Sequence, residues 1–138
     1  MTATPLPETP AAASAMLNPP AIEVFEDETR IFASHGRWLH PLFDLETVIQ
    51  ADERDPARLE VRDKIVGRAA AFLLVRMRIG RIQAGILSRP GREVLVRFAV
   101  PFTYKTLVDR IACQTETLLM DETDPERVYQ LLWERAGR

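Results

Sequence analysis

From residue 21 onward, the pattern of apolar and polar residues predicts regular secondary structure. Segments 21–25 and 30–33 are rich in β-forming residues and flank a charged connection at 26–29. This pattern is typical of a β-hairpin. A helix is predicted next, because Pro41 suits a first helical turn and the apolar residues after it recur at helical spacing. These residues are Leu42, Leu45, Val48 and Ile49.

The middle of the chain predicts a loop, a short strand and the clearest helix. Residues 51–58 are polar and contain a proline, and residues 59–61 alternate like a strand. Asp63 is predicted to cap a helix from Lys64 to about Arg78. The apolar residues of that helix are Ile65, Ala69, Phe72, Leu73 and Met77.

Beyond Gly80, every second residue over 81–87 is apolar, which predicts another strand. Ser88, with Pro90 behind it, resembles the cap of a further helix through Val94, Leu95 and Phe98. Strands that alternate with helices predict a layered α/β fold whose first two strands are antiparallel. The last third is predicted to be extended over 100–104, mostly helical over 107–120, and helical again after Thr123 or Asp124 with Pro125.

The first twenty residues differ from the rest in composition. They hold five of the ten prolines and show no apolar period, which predicts a disordered leader at 1–20 before a domain at 21–138. No basic start and apolar run precede the Ala13-Ser14-Ala15 triplet, so no export signal is predicted. The longest apolar run is 69–75, far short of the roughly 20 residues that cross a bilayer.

Composition narrows the function classes. A chain of 138 residues with 46% hydrophobic residues and a net charge of -2 fits one soluble domain, and it disfavours a dedicated nucleic-acid binder. The single cysteine excludes an intramolecular disulfide and a multi-cysteine zinc cage, and it fits the cytoplasm. We therefore expect a cytoplasmic protein without a metal or other cofactor.

Common catalytic motifs are missing from the sequence. It contains no HExxH, no Walker phosphate loop and no GxGxxG. His35 and His40 have no partner at metal-ligand spacing, so we interpret both as structural or solvated. Ser88 lacks the GxSxG context of a nucleophile and is interpreted as a helix cap.

The stretch from Asp63 to Ala71 carries the first candidate site. A glycine in a first helical turn costs about 1 kcal/mol relative to alanine, so Gly67 indicates either tight packing or close approach of a ligand. Lys64 and Arg68 flank the predicted helix start, whose free N–H groups favour anions. The candidate ligand-binding residues are Asp63, Lys64, Gly67 and Arg68.

Cys113 and Glu116 form the second candidate site. A helix start would stabilise the Cys113 thiolate and raise its reactivity, whereas a lone cysteine is also often an inert core residue. Glu116, three residues on, would project close to the thiol or remain an exposed first-turn carboxylate. Both residues are catalytic candidates.

The order of these motifs resembles that of a known family. Asp63-Lys64-Ile65-Val66-Gly67-Arg68, the Cys-x-x-Glu motif and the final Asp-Pro-Glu helix resemble an uncharacterised bacterial domain-of-unknown-function family with a cytidine-deaminase-like fold, over about residues 21 to 136. The resemblance implies a three-layer α/β/α sandwich. It also implies a pocket between the starts of the DKIVG helix and the Cys113 helix.

True zinc deaminases carry H-x-E and P-C-x-x-C at those two helix starts. This chain has Asp63-Lys64 near the first and only Cys113 near the second, where the family usually shows Cys-Pro and this chain has Cys113-Gln114. A catalytic zinc site needs about three protein ligands, so hydrolytic deamination is not expected.

A weaker resemblance covers only the DKIVG stretch and the layout. It is to the formate dehydrogenase accessory sulfurtransferases, and it implies that Cys113 could pass on sulfur. The leading hypothesis is a zinc-free deaminase-like domain that binds a small anionic or nucleotide-like ligand. The alternatives are sulfur or acyl transfer through Cys113, and a protein-interaction module with a vestigial pocket. Substrate, oligomeric state and the presence of any catalysis stay open.

Overall fold

The computed structural model describes residues 19–112 and 114–137. Five strands form one sheet of order β2-β1-β3-β4-β5 in this part of the chain. In chain order the elements are β1 (Ile22–Glu26), β2 (Thr29–Ser34), α1 (His40–Ala51), a 3-10 turn (Pro56–Arg58), β3 (Leu59–Val66), α2 (Arg68–Met77), β4 (Arg81–Ser88), α3 (Arg89–Arg97), β5 (Phe102–Val108), α4 (Gln114–Leu118) and α5 (Pro125–Ala136).

The sheet is mixed. β1 pairs antiparallel with β2 and with β3, while β3, β4 and β5 are parallel. Parallel neighbours need crossover connections, which α2 and α3 supply. The predicted α/β class, with a sheet that begins with an antiparallel hairpin, is confirmed.

The core lies between one face of the sheet and the helices. Along β3 and β4, Leu59, Val61, Ile82 and Ala84 are buried. The residues that alternate with them, Glu60, Arg62, Arg81 and Gln83, are exposed or half-buried. The described residues therefore leave this part of the second face open, and the second helical layer of an α/β/α sandwich stays a prediction.

The start of α2 corrects the sequence-based prediction. Asp63 does not cap this helix, and Lys64 does not begin it, because both belong to β3. Pairing of Asp63 with Ala84 and of Ile65 with Ile86 holds these residues in the sheet. Gly67 is the N-cap residue rather than part of the first turn, and the helix begins at Arg68.

The region predicted as mostly helical over 107–120 is also different. β5 continues through Val108, since Leu107 and Val108 pair with Leu87 and Ser88. Among the described residues of this region, only Gln114–Leu118 is helical. By contrast, the predicted caps at Ser88 and Asp124 are confirmed: their side chains accept hydrogen bonds from the amides of Gly91 and Glu126.

Two predictions fall outside the described residues: most of the leader at 1–20, and the environment of Cys113. Within the described ranges, no helix is long and apolar enough to cross a membrane.

Candidate functional site

A pocket of about 250 Å³ opens where the end of β3 meets the start of α2. Its wall is mostly apolar and includes Trp38 and Leu39 from the segment before α1, and Ile111 from the segment after β5. The other lining residues are Ala21, Gly36, Asp63, Lys64, Ile65, Gly67, Ala69, Ala70 and Thr115. Of the four predicted ligand-binding residues, the structure thus brings Asp63, Lys64 and Gly67 together here.

Glu116 supplies the cap that α2 lacks locally. Gly67 has no side chain to accept a hydrogen bond, so the amide of Arg68 donates instead to Glu116 Oε2, at 2.7 Å. The Glu116 side chain is buried, with 1% of its surface exposed. A carboxylate at this position also interacts favourably with the positive end of the helix dipole. Glu116 is therefore part of the structure that positions α2.

The role of Gly67 follows from the same contact. A Cβ atom at this position would lie 2.4 Å from Ile111 Cδ1 and 2.8 Å from Glu116 Oε2. A larger residue here would force the Ile111 and Glu116 side chains to move, so glycine suits the close approach of the segment before α4 to the start of α2. The tight-packing interpretation of Gly67 therefore holds, and Gly67 also lines the pocket.

Arg68 lies away from the pocket. Its buried guanidinium donates to the carbonyl oxygens of Leu119, Pro90 and Glu122, at 2.6, 3.2 and 2.8 Å, and to the Glu93 carboxylate at 3.1 Å. These bonds tie α2 to α3 and to the connection before α5. Arg68 is not among the lining residues of the pocket.

Two backbone donors face the pocket without an internal partner. The first amides of a helix have no intrahelical acceptor. Glu116 satisfies that of Arg68, whereas the amides of Ala69 and Ala70 have no hydrogen-bond acceptor among the described residues. Ala69 and Ala70 line the pocket. The start of α2 therefore offers two donors to a bound group.

Asp63 is the titratable residue of the pocket. Burial raises the pKa of its carboxyl group to about 7, although the amide of Ile65, which donates to Asp63 Oδ1 at 3.3 Å, and the neighbouring amide of Lys64 partly oppose this shift. No salt bridge to Asp63 is present in the described part of the chain. Near neutral pH the group can therefore donate or accept a hydrogen bond.

Cys113 lies outside the described residues, so its predicted role is not tested. Its neighbours Ile111 and Thr115 line the pocket. No group of three or more His, Cys, Asp and Glu residues suited to a metal occurs within 19–112 and 114–137.

Trp38 and Leu39 were not predicted from the sequence. The sequence signal for Trp38 was weak, since it shows only a large aromatic residue shortly after Gly36. In the structure Trp38 is 39% exposed and adopts a left-handed backbone with φ 56°. Such a conformation is costly for a bulky residue and clusters at functional sites. Ile111 had no comparable signal, because its place depends on packing between distant segments.

Comparisons with known proteins agree with this fold. Residues 20–135 match the family described as TM1506, a domain of unknown function (DUF1893). A crystal structure of a DUF1893 family protein from Thermotoga maritima is similar, with a TM-score of 0.75 and 22% identity, covering 91% of this chain and 86% of that one. The curated proteins contain no match. At this identity the structural likeness supports the fold alone.

Proposed function

Since the chain belongs to the DUF1893 family of domains of unknown function, we propose its function from the pocket at the start of α2: the pocket binds a small nucleotide-like ligand. Small-molecule sites usually enclose about 300 to 1,000 Å³. This pocket, of about 250 Å³, lies just below that range. Its small volume therefore favours a ligand the size of a nucleoside or nucleotide over a larger cofactor.

The apolar wall suits a flat heterocycle. Trp38, Leu39 and Ile111 offer an aromatic and aliphatic surface on which a base can pack. Asp63 lies in the same wall and can pair with the polar edge of a base. Its carboxyl group has a pKa of about 7, so it can donate a hydrogen bond to a ring carbonyl when protonated or accept one from a ring N–H group when ionised.

The start of α2 suits an anionic group. The amides of Ala69 and Ala70 have no partner within the described chain, and the helix dipole favours negative charge at this end. The observation that carries the proposal is that Asp63 and two open amide donors face one pocket.

The test is a titration with nucleosides and nucleotides. The chain has two tryptophans, so a Trp133→Phe variant reports on Trp38 alone. A bound base should change Trp38 fluorescence with saturation, and it should raise the melting temperature, because the ligand binds only the folded protein. Asp63→Asn should weaken binding about tenfold, since hydrogen bonds to charged groups contribute about 1.5 kcal/mol.

The matched control is Asp121→Asn, which removes an exposed carboxylate outside the pocket and should leave affinity unchanged. If no nucleoside or nucleotide alters either the fluorescence or the melting temperature, the proposal is wrong. That result would favour the protein-interaction alternative.

Two finer parts of the proposal rest on the sequence. The zinc-free, deaminase-like character follows from the resemblance and from the missing ligands, and the cytoplasmic location is supported by the single cysteine. Sulfur or acyl transfer through Cys113 is a second candidate function, favoured by the position of Ile111 and Thr115 in the pocket wall.

A further inference from the structure

Both lysines of the protein lie side by side on one face of the sheet. Eighteen residues are lysine or arginine, and only Lys64 and Lys105 are lysines. The register pairs Asp63 with Ala84 on β4, and Ala84 with Tyr104 on β5. The next residue on each parallel strand therefore forms one row: Lys64, Gly85 and Lys105. Side chains of such a row point to the same face.

Gly85 leaves the space between the two lysines empty. A Cβ atom there would lie 2.7 Å from the carbonyl oxygen of Lys64, so the close approach of β3 requires a glycine. The two lysine Cα atoms are separated by two strand spacings, or about 10 Å. Long, flexible lysine stems can bring both ammonium groups to one point above Gly85.

A cavity of about 440 Å³ lies over this row. Two charged neighbours in its wall are already paired: Arg62 with Glu60 at 2.7 Å, and Glu23 with Arg30 at 3.0 Å. Lys64 and Lys105 form no salt bridge among the described residues. Two like charges at this spacing repel each other, and an anion between them would relieve that repulsion.

We propose that the Lys64–Gly85–Lys105 row binds a dianionic phosphate group, either free or as the monoester of a small molecule. Lysine binds phosphate as a compact positive point charge. The two positive charges of the lysines balance the charge of about -2 on a phosphate group. This site is additional to the pocket at the start of α2. Ala21, Asp63 and Lys64 line both cavities, whereas Gly85 and Lys105 line only the cavity over the row. Asp63 and Lys64 are consecutive on β3, so their side chains point to opposite faces of the sheet.

The small number of lysines permits a direct test. The full-length protein is treated with a limiting amine-acylating reagent, with and without inorganic phosphate, and labelling of each lysine is measured by peptide mass spectrometry. Sodium chloride at equal ionic strength controls for screening. With phosphate at ten times its dissociation constant, labelling of both lysines should fall about tenfold, since only the unbound fraction reacts.

Variants separate this site from the pocket. Lys105→Ala should abolish protection of Lys64 by phosphate, and Lys105→Arg should restore part of it. The matched control is Arg81→Ala, which removes a positive charge from an exposed position on β4 outside the cavity and should change nothing. Lys105→Ala should also leave nucleotide binding at Trp38 intact, so failure of one proposal does not imply failure of the other.

The outcomes are distinct. Joint protection of Lys64 and Lys105 by phosphate supports the site, and equal protection by glycerol 3-phosphate shows that the bound phosphate can carry a substituent. Protection of Lys64 alone, protection of neither lysine, or equal protection by chloride would overturn the proposal.

Discussion

The carboxyl group of Asp63 couples the pocket to pH. Burial raises its pKa from an ordinary value of 3.8 to about 7. The folded state therefore binds this proton more tightly than the unfolded state does. The resulting stabilisation is complete below about pH 4, and it is lost as pH rises through about 7.

We predict that Asp63→Asn removes this pH dependence. A shift of about 3 pH units corresponds to about 4 kcal/mol. Because water reaches the half-buried carboxylate, we expect the Asn variant to be more stable than the wild type at pH 8 by only about 2 kcal/mol. At pH 4 the two proteins should be nearly equal. Urea unfolding at both pH values measures the difference, and a wild type that gains stability from pH 4 to 8 relative to the variant would contradict the assignment.

The Cys113 thiol gives a second residue-scale prediction, based on the sequence. If the thiol faces the pocket, it should react with iodoacetamide near pH 7 in the native protein. Lys64→Ala should slow the reaction by at most about twofold, because surface charge interactions are worth under about 0.5 kcal/mol and the Lys64 side chain points to the other face of the sheet. Added sulfur on Cys113 after incubation with a sulfur donor, seen by intact mass, would support sulfur transfer. Reaction only after denaturation would identify a core cysteine and exclude transfer.

At the scale of elements, the predicted helix caps are correct where no pairing between distant strands competes with them. Ser88 and Asp124 cap helices as predicted, because each bond joins residues two or three positions apart. Asp63 carried a similar signal, but pairing of β3 with β4 holds it in the sheet. A cap motif depends only on neighbouring residues, whereas the pairing of β3 with β4 joins residues far apart in the chain. The true start of α2 could therefore not be predicted from the sequence.

Gly67 links α2 to α4 and gives the prediction for this scale. In Gly67→Ala the new methyl group would collide with Ile111 and Glu116, and overpacking of this kind costs about 1 to 3 kcal/mol. The cost should be measurable as a lower midpoint in urea.

Ile111→Val removes the atom nearest to that methyl group. The double variant Gly67→Ala, Ile111→Val should therefore lose less stability than the sum of the two single changes. Simple additivity would show that Gly67 is required for another reason.

At the scale of the whole molecule, the site combines predictable and unpredictable parts. Asp63, Lys64 and Gly67 were predicted, because they share one short stretch, and they line the pocket together. Trp38 and Ile111 come from segments far away along the chain, and only the fold brings them to the same wall. Arg68 was predicted beside them, but its guanidinium reaches the carbonyl oxygens of Leu119 and Glu122 instead.

The last prediction concerns residues 1–20 and the open face of the sheet. The buried core is built from Ile22 to Leu132, and the hydrogen bonds of Ala21 to Ser34 and Lys64 hold the start of β1 without the leader. Deletion of residues 1–20 should therefore lower the melting temperature by less than about 3 °C, equivalent to under 1 kcal/mol. Differential scanning calorimetry of both forms measures this change. A loss of about 10 °C or more would contradict the prediction and indicate that the leader packs on the domain. Arg62 and Gln83 are exposed on the face that the described residues leave open. Slower hydrogen exchange of the β3 and β4 amides in the full-length protein than in the deletion form would indicate that the leader covers this face.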